Sequence, residues 1–213
     1  MPENIILAST SPRRRELVTL FGSRFEFTSA DVDETPRANE SPDALVRRLA
    51  IAKTANGAQK YSDAMVIGSD TIVWIDGMIL GKPIDAADAV RMLTLLRNRP
   101  HTVYSGVTVR RGKKSTTQVV TTTVWMRNYT DQEIAAFVAT GEPLDKAAAY
   151  AIQFNDFRPV DHIDGCFANV MGLPLCHLYR ALKTFGVEID APDRACQAHL
   201  QIDCPVAQEI LNG

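Results

Sequence analysis

The chain has 213 residues, 46% of them apolar and 23% charged, an ordinary globular mix whose length can bury roughly 70% of the unfolded surface without disulfides or a structural metal. A formal net charge of −2 excludes broad attraction to nucleic acid or to an acidic membrane, so any anion site must be local. The chain contains no apolar run near the ~20 residues that span a bilayer, and Met1-Pro2-Glu3-Asn4 places an acid where a secretory signal carries positive charge, so a cytoplasmic protein is expected.

Ile5 to Ala8 reads as a short buried strand, and Pro12 opens a helix with Leu17, Leu20 and Phe21 on one face. A short strand then leads into an acidic loop, Asp31-Val32-Asp33-Glu34-Thr35-Pro36. Ser41-Pro42 pairs an N-cap with proline at the first helical position and starts a helix that turns Leu45, Leu49 and Ala52 inward. From Met65 to Pro83 two apolar runs flank Asp76-Gly77, which predicts a hairpin with Ile75 opposite Met78, Val73 opposite Leu80 and, by extension, Thr71 opposite Lys82. A helix follows from Asp85 to Leu96, then strands over Thr102 to Val109 and Gln118 to Met126 joined at Gly112-Lys113. Thr130 and Glu133 stand in capping-box positions for the next helix. A strand is expected near Ala149 to Gln153, a polar loop at Asp161-His162-Ile163-Asp164, and a helix after Gly172-Leu173-Pro174 through Leu182. The four cysteines, Cys166, Cys176, Cys196 and Cys204, include no C-x-x-C pair, which suggests free thiols rather than a zinc site. Interleaved helices and recurring hairpins give an α/β or α+β class with a mixed sheet, read as one domain whose compositional break comes near the end.

Several segments carry chemistry. Ser9-Thr10-Ser11-Pro12-Arg13-Arg14-Arg15 lies between a strand and a helix's first turn, where the helix dipole disfavours cations by ~0.3–1 kcal/mol each. Arginines placed against that rule, beside free N–H groups and hydroxyls, suit a phosphate. Successive helical positions diverge, so Arg13 and Arg14 are assigned to a ligand and Arg15 to pairing with nearby carboxylates. Asp70 interrupts an apolar strand within Gly68-Ser69-Asp70-Thr71 and needs a cation, a metal or a hydrogen-bond network there. It is either a functional carboxylate or a structural partner of Lys82, and Asp70 and Thr71 point to opposite faces. The acidic loop with Glu34 could supply oxygen ligands to a hard cation or be a solvated turn. Gln153, at the end of an apolar run, offers a donor and an acceptor to a base edge or to backbone. The Gly106 to Gly112-Lys113 spacing fails the P-loop pattern, and its hairpin setting is wrong for one.

Taken together, Leu7-Ala8-Ser9-Thr10-Ser11-Pro12-Arg13-Arg14-Arg15-Glu16-Leu17, Gly68-Ser69-Asp70-Thr71, Gly81-Lys82-Pro83, Asp145-Lys146 with Ala149-Tyr150-Ala151-Ile152-Gln153, and Gly172-Leu173-Pro174-Leu175 resemble the Maf family of nucleoside triphosphate pyrophosphatases over residues 4 to about 186. The resemblance implies an α/β fold similar to that of inosine triphosphate pyrophosphatases, with a mixed sheet in two lobes around a deep cleft. A Maf-like domain would span 1–186, followed by a C-terminal extension over 187–213. It also implies a homodimer, and Mg²⁺- or Mn²⁺-dependent cleavage of a nucleoside triphosphate between its α- and β-phosphates, with no nucleic-acid or membrane partner. Asp70 would accept a proton from water, with Lys82 as its catalytic companion and Glu34 and Asp70 near the metal. Ser9, Arg13, Arg14, Lys53 and Lys82 would hold the triphosphate. Arg13, Thr71 and Gln153 match the branch that resembles dTTP/UTP pyrophosphatases. Phe154 and Ala148 stand where the family typically has glycine. The family is also associated with septum formation, so a nucleotide-binding regulator without significant catalysis is the second reading.

Overall fold

The structure is a computed structural model that describes residues 4–22, 25–153 and 157–213; the sequence readings of Met1 to Glu3 and of Phe154 lie outside them. In chain order the elements are β1 (Ile5–Ala8), α1 (Pro12–Thr19), β2 (Phe25–Thr28), α2 (Pro42–Lys60), β3 (Met65–Ile75), β4 (Met78–Leu80), α3 (Ala86–Leu96), β5 (Pro100–Arg111) and β6 (Lys114–Met126). They continue through α4 (Asp131–Ala139), two 3₁₀ turns (Glu142–Asp145 and Ala147–Ala149), β7 (Val160–Asp164), α5 (Phe167–Val170), α6 (Leu175–Lys183), α7 (Asp193–Leu200) and α8 (Ala207–Asn212). The strands form one sheet in the order β2-β1-β3-β5-β6-β7, with β4 on β3. β1 runs parallel to β2 and β3, while β3–β4 and β6–β7 are antiparallel. The sheet is therefore mixed, as the alternation of helices and hairpins requires.

Two compact units share the chain. The first comprises residues 1–71, 104–120 and 166–213, and the second residues 72–103 and 121–165. Residues 187–213 thus belong to the first unit. In this unit β1 is buried along its whole length, the mark of a parallel strand flanked on both sides, and Leu17, Val18, Leu45, Val46 and Leu49 close the core. Ser11 and Ser41 each cap a helix whose next residue is proline, accepting from Arg14 N and Ala44 N. In the second unit, α3 and α4 contribute Leu93, Leu96 and Ile134 to the core, with Tyr129 donating its hydroxyl to Leu93 O at 2.7 Å. The Thr130–Glu133 capping box is complete.

The β3–β4 ladder has the predicted register, Val73 with Leu80 and Ile75 with Met78. Asp76 and Gly77 both take positive φ, +49° and +80°, as a type I′ turn requires. Two expectations are corrected. No strand covers Ala149 to Gln153, because Ala148 and Ala149 take left-handed φ of +57° and +61° and turn the chain. Asp161 to Asp164 is not a loop but most of β7, whose His162 stacks on Trp125 with ring centroids 4.5 Å apart.

None of the four cysteines is in a disulfide, yet they converge: all of them line one small apolar cavity of about 10 Å³, together with Leu175 and Ile202. Burial, and secondarily the neighbouring thiols, pushes the Cys176 and Cys196 thiols up to about 12, and burial pushes Cys166 up to about 11. Cys204 is the most exposed of the four. Iodoacetamide at pH 8 should therefore label Cys204 first in native protein, with the other three slower by roughly a thousandfold until urea is added. Peptide mass mapping checks this, and rapid native labelling of all four would contradict it.

Candidate functional site

The turn after β1 is built by its own hydroxyls. Ser9, buried, accepts from Ser11 N at 3.1 Å, and Ser11 caps α1. The three arginines then diverge. Arg15 turns back to donate to Ser9 O at 3.0 Å and covers the Phe27 ring at 5.2 Å, so it pairs with backbone and an aromatic face rather than with carboxylates. Arg13 remains partly exposed in the first turn, and its side chain makes no hydrogen bond or ion pair with another described residue.

Arg14 points into the first unit. It donates through Nε to Gly172 O at 2.9 Å and through Nη2 to Thr71 Oγ1 at 3.0 Å. Burial lowers its pKa, opposed by the carboxylates of Asp70 and then Glu34 and aided by Arg13; an arginine remains cationic throughout. Gly172 O also accepts from Ser69 Oγ at 3.0 Å, and Thr71 Oγ1 shares a 2.7 Å hydrogen bond with Ser105 Oγ. Gly172 has a φ of +105°, and a Cβ there would stand 3.1 Å from Arg14 Nε. Glycine is thus needed both for the backbone and for the approach of the guanidinium. Sequence reasoning flagged Gly172 as part of a motif but not as this acceptor. Ser69 and Ser105, two hydroxyls on adjacent strands, left no signal of their role.

On the other face of β3, Asp70 meets Lys53. The Lys53 ammonium lies 2.6 Å from Asp70 Oδ1 and 2.6 Å from Glu34 Oε1. Lys53 and Asp70 are buried, whereas the Glu34 side chain is 59% exposed. Asp70 and Thr71 thus use opposite faces as the pleat demands, with Asp70 turned to α2 and Thr71 to Arg14. The close packing of α2 on β3 depends on Gly68, where a Cβ would fall 2.3 Å from Thr54 Oγ1 and 2.6 Å from Ala50 O.

The acidic loop is held rather than merely solvated. Arg48 grips Glu40 with both ends of its fork, at 2.6 and 2.8 Å, and donates to Thr35 O at 3.0 Å. Its hydrogen bonds, with a further one from Arg37 N, hold the Glu40 carboxyl down to about 2. Asn56 donates to Asp31 O at 3.1 Å. One face of α2 therefore carries the loop that delivers Glu34 to Lys53.

Ser9, Arg13, Arg14, Glu34, Lys53, Asp70 and Thr71 all belong to the first unit. Lys82 and Gln153 belong to the second, where both are exposed. The ladder of β4 on β3 ends at Val73 and Leu80, short of Thr71 and Lys82. The segment before Gln153 is anchored by Ala148 N, which donates to Gly81 O at 2.8 Å, and by Tyr150, whose hydroxyl shares a 2.6 Å hydrogen bond with buried His101. Burial lowers the His101 pKa to about 4, keeping the ring neutral. The left-handed φ of Ala148 accounts for glycine being usual there, since a Cβ costs about 1 kcal/mol in that region.

Among the described residues no three His, Cys, Asp or Glu side chains group to hold a metal ion, and no helix is long and apolar enough to cross a membrane. The two carboxylates that do converge meet on an ammonium. Two oxygen donors of this kind are what a small hard cation takes from protein when phosphate oxygens supply the remainder, so the donor set fits such an ion bound together with a polyphosphate.

The "dTTP/UTP pyrophosphatase" of Geotalea uraniireducens is 46% identical over 185 residues, covering 86% of this chain and 95% of that protein. The proteins of the same name from Dictyoglomus turgidum and Bacillus cereus are 44% and 43% identical, covering 89% and 88% of this chain and 100% and 92% of theirs. Among solved structures, the Staphylococcus aureus Ham1 protein matches with a TM-score of 0.43 and 16% identity over 58% of this chain and 72% of that one; the α/β class rests on the observed sheet itself. The profile described as "Maf-like protein" matches residues 4–185, a span that takes in the Ser9–Arg15 turn, the Lys53–Asp70–Glu34 cluster and the Gly172 acceptor alike, and the chain belongs to that family.

Proposed function

We propose that the protein is a cytoplasmic, homodimeric, divalent-cation-dependent pyrophosphatase that hydrolyses a nucleoside triphosphate, with dTTP and UTP favoured, to the monophosphate and pyrophosphate. The names of its relatives support the substrate class. The observation that carries the reading is the meeting of Lys53 with two carboxylates, Asp70 and Glu34, whose charges reach the guanidinium of Arg14 in the same unit. Transfer at phosphorus needs charge neutralisation and positioning more than a covalent nucleophile, and this cluster holds cations, a base and oxygen donors in one place.

In this reading Arg13, Arg14, Lys53 and Lys82 bind phosphate oxygens, and Ser9 closes the turn around them. Asp70 aligns a water and takes its proton as the water oxygen bonds to the α-phosphorus; the α–β bridging P–O bond breaks and pyrophosphate leaves. When bound, the cation neutralises polyphosphate charge and acidifies water. Burial of Asp70 limits its hydration and fixes its direction. Gln153, with its amide donor and acceptor, reads the pyrimidine edge, and Thr71 fixes Arg14.

A panel of canonical and modified triphosphates with Mg²⁺ or Mn²⁺, scored for pyrophosphate, tests the reading. dTTP and UTP should lead the ranking, and a lead by purine triphosphates would sink the substrate assignment. In the same panel Gln153→Ala should change the order of the bases by about tenfold, the worth of one or two hydrogen bonds, while inorganic triphosphate binds as before. An unaltered ranking would remove Gln153 from base recognition.

A further inference from the structure

Lys53 stands where Glu34 and Asp70 would need a cation. Its side chain is only 10% exposed, its ammonium is 2.6 Å from each carboxylate, and Arg14 lies close enough to feel both negative charges. A free divalent cation approaching Asp70 and Glu34 would therefore meet carboxylates already paired with one ammonium and within the field of a guanidinium. A cation carried on a polyphosphate is received differently, because the phosphate oxygens offer the ammonium an alternative anion. The Lys53 stem is long and flexible, and its three N–H donors suit phosphate as well as carboxylate.

Resting on the pyrophosphatase reading, we propose that Lys53 is a placeholder for the divalent cation: it binds Glu34 and Asp70 in the free protein, and yields them to the ion only as it takes up the incoming polyphosphate. Binding of cation and nucleotide is then coupled through one ammonium group, which favours their entry together and disfavours capture of the ion alone. Glu34 is the mobile half of this exchange, being largely exposed on its loop, while buried Asp70 is the fixed half.

The test measures Mn²⁺ binding by the electron paramagnetic resonance signal of the free ion, with no turnover involved. Wild-type protein should bind Mn²⁺ weakly alone and much more tightly with a non-hydrolysable α,β-imido analogue of dUTP. Lys53→Met removes the charge and keeps the apolar stem, so the folded variant should bind Mn²⁺ alone about tenfold more tightly than wild type or better, and should lose most of the gain from the analogue. Lys53→Gln, a milder change for a buried position, should shift in the same direction. Mn²⁺ affinity in a folded variant no greater than wild type would overturn the proposal. So would tight Mn²⁺ binding by wild-type protein without nucleotide, a comparison that needs no variant to fold. Failure of every triphosphate to yield pyrophosphate would instead overturn the enzymatic reading and leave this ion-binding comparison standing.

Discussion

Asp70→Asn should lower the rate of pyrophosphate release by about a hundredfold to ten-thousandfold, the usual worth of a positioned general base, while affinity for a non-hydrolysable triphosphate stays within a few-fold of wild type. The substitution is nearly isosteric and removes only the charge and the proton-accepting capacity. Loss of one partner from a buried ion pair is normally damaging because the other charge is stranded. Here Lys53 keeps Glu34 at 2.6 Å, and the new amide oxygen still accepts a hydrogen bond from the ammonium. The fold should therefore survive, and a thermal melt together with equilibrium binding separates chemistry from stability. Wild-type turnover by the variant would show that Asp70 is not the base. Triphosphate binding without turnover by either protein would favour the nucleotide-binding regulator, for which cationic groups suffice and a base has no use.

Gly68→Ala should be among the most damaging single-methyl changes in the first unit. The added Cβ would sit 2.3 Å from Thr54 Oγ1, 2.6 Å from Ala50 O and 2.7 Å from Thr54 N, and the last two atoms are helix backbone that no rotamer change relieves. Either α2 lifts from β3 or the strand bends, at a cost of about 1–3 kcal/mol or somewhat more for overpacking of this kind. Lys53 adjoins Thr54 on the helix and Asp70 lies two residues beyond Gly68 on the strand, so the shift acts directly on the ion pair. Denaturant unfolding should show a lowered midpoint, and the loss of kcat/KM should exceed what the unfolded fraction explains. A variant as stable and as active as wild type would mean that the helix and strand are not packed as described.

How much of this was legible in the sequence depends on the distance over which each feature is encoded. Ser11-Pro12, Ser41-Pro42 and Thr130 with Glu133 announce helix starts because a cap is a contact over three residues, and Asp76-Gly77 sets the hairpin register because only such a pair accepts two positive φ angles. The segment from Ala149 to Gln153 misled for the converse reason. Its apolar run imitates a strand, while left-handed backbone at two alanines, tied to Gly81 O, is dictated by distant packing. β7 was hidden because its exposed polar residues resemble a loop, and only pairing with β6 makes it a strand.

The candidate site divides along the same line. The Ser9 to Arg15 turn showed itself through arginines placed against a helix dipole, and Asp70 through a carboxylate inside an apolar strand. Lys53 gave no local sign, since a lysine on a long helix is ordinarily a solvated charge. Only the fold brings it to an aspartate 17 residues away, and only the resemblance nominated it. Arg48, whose hydrogen bonds fix the loop bearing Glu34, was as unremarkable in sequence. The meeting of the four thiols was equally unreadable, because their spacing follows no metal-binding pattern and the cavity joins residues from Cys166 to Cys204.

The most direct measurement is the identity of the products formed from dTTP by the purified protein with Mn²⁺, separated by ion-exchange chromatography. Thymidine monophosphate and pyrophosphate in equal amounts, formed by wild type and lost in Asp70→Asn, is the predicted result. Thymidine diphosphate with orthophosphate, or no product at all from any nucleoside triphosphate, would contradict it.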